Sequence, residues 1–232
     1  MTTPSRTRIK ICGLTREQDV DAAVEAGADA VGFVMYEKSP RHVTPQRAAA
    51  LARRLPPFVT SVLLFVNEDI EKIAVACGQV GAGLIQFHGD ETPGQCEAAA
   101  SASGRPWLRA ARIPLNGAAG FDLVKFAAHY ANAQAILLDA HVDGYGGGGK
   151  TFNWSLLPPN VNAHLVLSGG LTPANVTDGI LQVRSRGLSL AVDVSSGVEA
   201  DGPDGNTLKG VKDPGKIHQF VAAVRAADQQ LA

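Results

Sequence analysis

The sequence predicts an α/β chain folded as a single (β/α)8 (TIM) barrel over residues 1–232. Three observations carry this expectation. Short apolar runs rich in β-branched residues recur eight times, helix-like segments separate them, and polar reactive residues follow the runs at corresponding places. Roughly 230 residues is the compact end of the size of such a barrel. The competing arrangement on pattern alone is an open doubly wound sheet of eight strands. No linker-like stretch divides the chain.

The expected strands are Arg8–Ile11, Ala30–Val34, Thr60–Phe65, Leu84–Phe87, Pro106–Ala111, Ala135–Leu138, Leu165–Leu167 and Leu190–Val194. In the first, Ile9 and Ile11 share one parity, and Lys10 and Cys12 the other. The isoleucines then face the helices, and Lys10 and Cys12 point into the barrel. Helix starts are marked by Thr44-Pro45, Thr92-Pro93, Thr172-Pro173 and Asp213-Pro214, each a capping residue before a proline at the first helical position. Thr15 with Gln18 and Thr92 with Gln95 fit a capping box. Ile217, Phe220, Val221 and Val224 form the apolar stripe of a last helix. The run GYGGGG at 144–149 falls between the sixth strand and its helix and reads as a loop.

Hydrophobic residues make up 45% and charged residues 19%, so a packed core is expected rather than disorder. A net charge of −1 removes the bulk electrostatic case for nucleic acid or an anionic membrane as partner. No apolar run approaches the roughly 18 residues of a membrane span, and MTTPSRTRIK has no apolar core of a secretory signal. Cys12, Cys77 and Cys96 are far apart, with no CxxC pair. A disulfide framework and a zinc site are not expected, and a reducing, cytoplasmic setting is.

In a barrel the strand ends that feed the helices form the active face. There the sequence places Cys12-Gly13 after the first strand and Arg41 on the loop after the second. Gln86 and His88 share a parity at the end of the fourth, and Asp139 leads out of the sixth. Ser168-Gly169-Gly170 follows the seventh strand, and Asp193 to Gly197, with Ser195 and Ser196, the eighth. Glycines let a backbone approach an anion, and barrels often bind phosphate on the loops after strands seven and eight. Gly169-Gly170 taken alone could be only a tight turn. A lone strand-end cysteine is ordinarily a small buried hydrophobe. Asp139 could be a loop or cap residue, and Arg41 a solvated charge.

The segments KICGLT, SPRHV, QFHGDE, LLDA, GGGGKTFNW, LSGGLTPANV and VDVSSGVE with the following KD and KI resemble phosphoribosylanthranilate isomerase, in the family's order from about residue 8 to residue 220. The resemblance implies an enzyme without cofactor or metal. It implies conversion of N-(5-phosphoribosyl)anthranilate to 1-(2-carboxyphenylamino)-1-deoxyribulose 5-phosphate by an Amadori rearrangement, the third step of tryptophan synthesis from chorismate. It makes Asp139 the general acid, Cys12 the general base and Arg41 the partner of the anthranilate carboxylate. As acid, Asp139 has to hold a proton near neutral pH, which partial burial favours. As base, Cys12 has to become a thiolate, so its pKa is expected to fall, with Lys10 as the nearby cation. Asp193 and His88 are candidates for sugar hydroxyls. Two departures stand out: the loop, with a further glycine at 148 and Asn153 where the family usually has aspartate, and Phe87 where the family usually has leucine, a residue that by parity faces the helices. The loop Gly146–Gly149 is expected to be mobile and to order over substrate. The rival functions are a metal-dependent pentulose-phosphate epimerase and a silent sugar-phosphate binding protein. The assembly expected is a monomer or a homodimer.

Overall fold

The computed structural model describes residues 6–115, 121–140 and 151–231. Eight parallel strands pair in chain order: β1 (Arg8–Cys12), β2 (Ala30–Val34), β3 (Thr60–Phe65), β4 (Leu84–Phe87), β5 (Trp107–Ile113), β6 (Ala135–Ala140), β7 (His164–Leu167) and β8 (Ser189–Val194). Strand β8 returns to pair with β1, Asp193 opposite Lys10, so the sheet is a closed barrel and not an open one. The helices are α1 (Glu17–Ala26), α2 (Pro45–Ala52), α3 (Ile70–Val80), α4 (Pro93–Ser103), α5 (Leu123–His129), α6 (Val176–Val183) and α7 (Pro214–Gln230).

Side chains divide by parity as a barrel requires. Ile9 and Ile11 are buried in the layer between strands and helices, with Val20, Phe220 and Val224. Cys12 packs inside the barrel with Val34, Leu64 and Val66. Leu108, Ala110, Leu137 and Val166 form a second interior cluster. The stripe on α7 is buried as its spacing predicts.

Three local expectations are corrected. Thr172 does not cap a helix: its N–H donates to Asn175 Oδ1 (2.8 Å), Asn175 Nδ2 donates to Gly170 O (3.0 Å), and this turn delays α6 to Val176. Thr15 caps nothing either, because its hydroxyl donates to Gly210 O (2.6 Å) and Arg16 becomes the residue before α1. Between β6 and β7 the only helical element among the described residues is a 3-10 turn, Trp154–Leu156, whose Asn153 side chain accepts from Ser155 N–H. An unexpected hairpin, β9 (Glu199–Asp201) with β10 (Thr207–Lys212), sits between β8 and α7. Among the described residues no helix is long and apolar enough to cross a membrane. The glycine loop at 146–149 lies outside the described residues.

Thr92 and Gln95 do form the capping box, and it starts α4 directly after the loop that carries His88. Thr92→Ala is expected to lower stability by about 1 kcal/mol in urea unfolding, and Thr92→Ser to restore most of it. An alanine variant as stable as the parent would remove the cap from the account.

Candidate active site

One cavity at the C-terminal ends of the strands collects most of the residues singled out by sequence. Cys12, Arg41, His88, Asp139, Gly169, Gly170, Asp193, Ser195 and Ser196 line about 800 Å³ of empty space, part of it open to solvent. Gly197 does not line it. A Cβ at Gly197 would lie 1.8 Å from Leu171 O, so this glycine lets the loop after β8 seat against the loop after β7.

The β1–β8 seam carries the thiol. Lys10 and Asp193 are both buried, and Lys10 Nζ donates to Asp193 Oδ1 at 2.9 Å. Ser168 Oγ donates to the other oxygen, Oδ2, at 3.4 Å. Space for this arrangement comes from Gly32 on the neighbouring strand, which sequence reasoning missed. A Cβ there would lie 2.6 Å from Cys12 Sγ and 3.0 Å from Lys10 Nζ. Burial works against the Lys10 ammonium, but Asp193 and Cys12 outweigh it and the net shift is upward. The Cys12 thiol is also pushed up, by burial first, with Lys10 and then Lys212 recovering only part and Asp193 adding to the rise. The expected fall is therefore not met in the free protein. Desolvation of the thiolate exceeds the pull of the cation, because that cation is already neutralised by a carboxylate 2.9 Å away.

On the opposite side, Asp139 Oδ1 accepts the N–H of Ala140 (2.9 Å) and Oδ2 lies 2.9 Å from His88 Nε2. His88 Nδ1 lies 3.0 Å from Gln86 Nε2. Both ring nitrogens are thus in contact with protein groups, while His88 also lines the cavity. Behind the ring, buried Arg109 donates to Phe87 O (3.2 Å) and Gly89 O (3.0 Å), while Glu91 accepts from Gly89 N–H (3.0 Å) and Asn67 N–H (2.8 Å). These contacts tie the loop between β4 and α4 to β3 and β5 beside His88.

Arg41 is buried, not solvated. Its Nε and Nη2 donate to the two oxygens of Glu199 at 2.7 and 2.8 Å. Lys212, fully buried, donates to Glu199 Oε1 (3.3 Å) and to Ser195 O (2.9 Å), and Gly210 N–H donates to Glu199 Oε1 (2.9 Å). Burial opposes ionisation of Glu199, yet the Arg41 hydrogen bonds and the Lys212 charge bring it below its usual range. Burial lowers Lys212, with Glu199 opposing. Neither Glu199 nor Lys212 was singled out from sequence. The signal was present only as the E…KD spacing after β8. Two cations on one carboxylate leave excess positive charge beside the cavity. The Nη1–Nη2 edge of Arg41 has no hydrogen-bond partner among the described residues beyond Glu199.

Gly169 and Gly170 both adopt positive φ, 75° and 66°. Their loop is drawn against the acid: a Cβ on Gly169 would lie 2.8 Å from Asp139 Oδ1 and 2.5 Å from Ala140 N. Cys77 and Cys96 are buried helix residues whose thiols burial pushes up to about 11 and about 12, and they stay core residues. Among the described residues no group of three or more His, Cys, Asp and Glu side chains has the arrangement of a metal site.

A closed barrel with a thiol, a carboxyl and a bound guanidinium gathered at one mouth defines a (β/α)8-barrel enzyme of a small anionic substrate. The family model described as N-(5'-phosphoribosyl)anthranilate (PRA) isomerase matches residues 9–223, and the chain belongs to that family. It is 60% identical over 227 residues to the N-(5'-phosphoribosyl)anthranilate isomerase of Methylibium petroleiphilum, with 98% of each chain covered. Among solved structures it matches phosphoribosyl anthranilate isomerase from Thermotoga maritima at 40% identity and a TM-score of 0.80, covering 95% of this chain and 99% of that one. It also matches a phosphoribosyl anthranilate isomerase in complex with reduced 1-(o-carboxyphenylamino)-1-deoxyribulose 5-phosphate, at 36% identity and a TM-score of 0.75, with the same coverage.

Gly32→Ala is expected to displace Cys12 and Lys10 and to lower kcat about 100-fold, the scale of a misplaced reacting group. A folded variant with parental kcat would show that the thiol position is not set there. Alkylation of Cys12, followed against pH with Cys77 and Cys96 replaced by alanine, is expected to titrate above the ordinary thiol range. Lys10→Met removes an influence that lowers the thiol, so its curve should move to higher pH. Superimposable curves would remove Lys10 from the chemistry.

Proposed function

We propose that the chain isomerises N-(5-phosphoribosyl)anthranilate to 1-(2-carboxyphenylamino)-1-deoxyribulose 5-phosphate, with Asp139 as acid and Cys12 as base. The observation that carries the assignment of roles is that both groups line one cavity from β6 and β1, with the glycine loops after β7 and β8 between them.

The reaction needs two proton movements. Asp139 gives its proton to the furanose ring oxygen, the C1–O bond breaks with its electron pair going to that oxygen, and the nitrogen lone pair forms a C=N bond. Cys12, as thiolate, then takes the C2 proton, and the electrons released neutralise the iminium and leave an enolamine. Loss of the enol proton and gain of a proton at C1 give the ketose. The redox change is internal, from C2 to C1, so no external oxidant or reductant is required.

Binding follows the charges. The 5-phosphate goes to the N–H groups of Ser168–Gly170 and Ser195–Ser196. The anthranilate carboxylate goes to the Nη1–Nη2 edge of Arg41, with Glu199 fixing the opposite edge. Asp193, which Lys10 and Ser168 hold, accepts from a sugar hydroxyl on this reading. Three free cysteines fit a reducing, cytoplasmic setting.

Consumption of the fluorescent substrate by purified protein in chelator tests the activity. Parental protein is expected to turn over, and Cys12→Ser and Asp139→Asn to lose at least about 100-fold in kcat with KM retained. Arg41→Ala is expected to weaken binding by roughly 2–3 kcal/mol, with Arg41→Lys restoring little. If a substrate analogue lacking the carboxylate suffers equally from Arg41→Ala, Arg41 does not bind that group.

A further inference from the structure

We propose that Gln86 is a positioning residue for the acid: it holds His88 as a neutral imidazole whose Nε2–H supports Asp139. The proposal rests on Asp139 being the acid. Gln86, His88 and Asp139 are all buried, and they form a chain of contacts of 3.0 Å and 2.9 Å. An amide NH2 group has hydrogens to donate and no lone pair to offer. Opposite Gln86 Nε2, His88 Nδ1 is therefore the acceptor. The single ring proton of a neutral imidazole then sits on Nε2 and points at Asp139 Oδ2.

The other end of the amide is the second observation. Gln86 Oε1 is buried without a hydrogen-bond partner among the described residues. Burying an unpaired acceptor is unfavourable, and an apolar side chain of similar size would avoid it. What glutamine adds here is the contact between its nitrogen and the ring.

The consequence bears on the acid. A second proton on Nδ1 would face the amide N–H, so the imidazolium is disfavoured. A cationic ring 2.9 Å from Asp139 would hold the carboxylate ionised and leave it no proton to give. A neutral ring does otherwise. It brings no charge to the carboxyl, and it donates Nε2–H to the carboxylate once the proton has gone to the ring oxygen. His88 itself neither gains nor loses a proton.

Other charges do not decide the state of the ring. Across the mouth, Lys10 is paired with Asp193 beside Cys12. From the end of β2 and its loop come Tyr36, Lys38 and Arg41, the last paired with Glu199. Behind the ring, Arg109 faces Glu91 at 3.4 Å. The only side chain in hydrogen-bond contact with Nδ1 among the described residues is Gln86.

The test is long-range 1H–15N NMR of histidine-labelled protein, with His88 assigned by its loss in His88→Gln. Nδ1 is expected to be bare and Nε2 protonated from about pH 6 to pH 8, the range in which an ordinary histidine titrates. A proton on Nδ1 near neutral pH would overturn the proposal. Gln86→Glu places an acceptor at Nδ1 and draws a proton there. It is expected to lower kcat about 100-fold at neutral pH with KM little changed, and to move the alkaline limb of kcat to lower pH. Parental kcat and pH profile in Gln86→Glu would also overturn it. Asp139→Asn separates the two levels. If it stays active, the acid is misassigned and the role of Gln86 falls with it. If it is inactive while Gln86→Glu behaves as the parent, only the role of Gln86 fails.

Discussion

The barrel closes on a buried ion pair. Strand β1 meets β8 with Lys10 opposite Asp193, and their side chains bond at 2.9 Å inside the barrel. Neither charge could be buried alone, since an isolated ion in an apolar interior is strongly disfavoured. Each makes the other tolerable. The pair holds a cation beside Cys12, and it brings Asp193 to the rim, where Ser168 reaches it from β7. Gly32 completes the arrangement by leaving room on its side of the barrel for the thiol and the ammonium. Strand register, loop position and thiol environment thus share one cause.

A second buried cluster does the same for the rim. Glu199 receives Arg41, Lys212 and the N–H of Gly210. It joins the loop after β2 to the hairpin β9–β10, and Lys212 extends the tie to Ser195. Removing one member of such a network leaves an uncompensated buried charge, typically at a cost of about 3–5 kcal/mol. The hairpin is therefore part of the binding face rather than a decoration on it. Its job is to hold Arg41 in one orientation, which a guanidinium on a free loop would lack.

The strands were legible to within two residues at either end, because period and β-branched content report directly on a buried parallel sheet. The inward direction of Lys10 and Cys12 followed from parity alone. Caps were legible at Thr44, Thr92 and Asp213, where cap and proline act locally. They failed at Thr15, whose hydroxyl is taken by Gly210 O from far along the chain, and at Thr172, where the Asn175 side chain closes a local turn on the Thr172 N–H. Glu199, Lys212 and Gly32 were not legible, since their meaning lies in side chains far off in sequence. Gln86 was visible as a parity partner of His88, but the role of the pair depends on Asp139 reaching it from β6, two strands along the barrel. The direction of the Cys12 shift was out of reach because it is a contest between burial and a cation, and only coordinates weigh the two.

The two halves of the site are built from different chemistry. Around Asp139 the hydrogen-bonding groups are the N–H of Ala140 and the ring of His88, which is neutral on the proposal above. Around Cys12 the nearby group is cationic, Lys10, with the charge of Lys212 further off. An acid must keep its proton until the substrate takes it, and a cation alongside would remove it early. A base must give its proton up, and a cation alongside helps it do so. Exchanging the two environments would disable both groups: a carboxylate pinned by lysine and a thiol among neutral donors. In the free protein burial still holds Cys12 as a thiol. On the mechanism proposed here, ring opening creates a positive iminium nitrogen next to C2. That cation makes the C2 proton easier to remove and favours the thiolate beside it. The step catalysed by the acid thereby prepares the step that needs the base, which gives the two proton transfers their order.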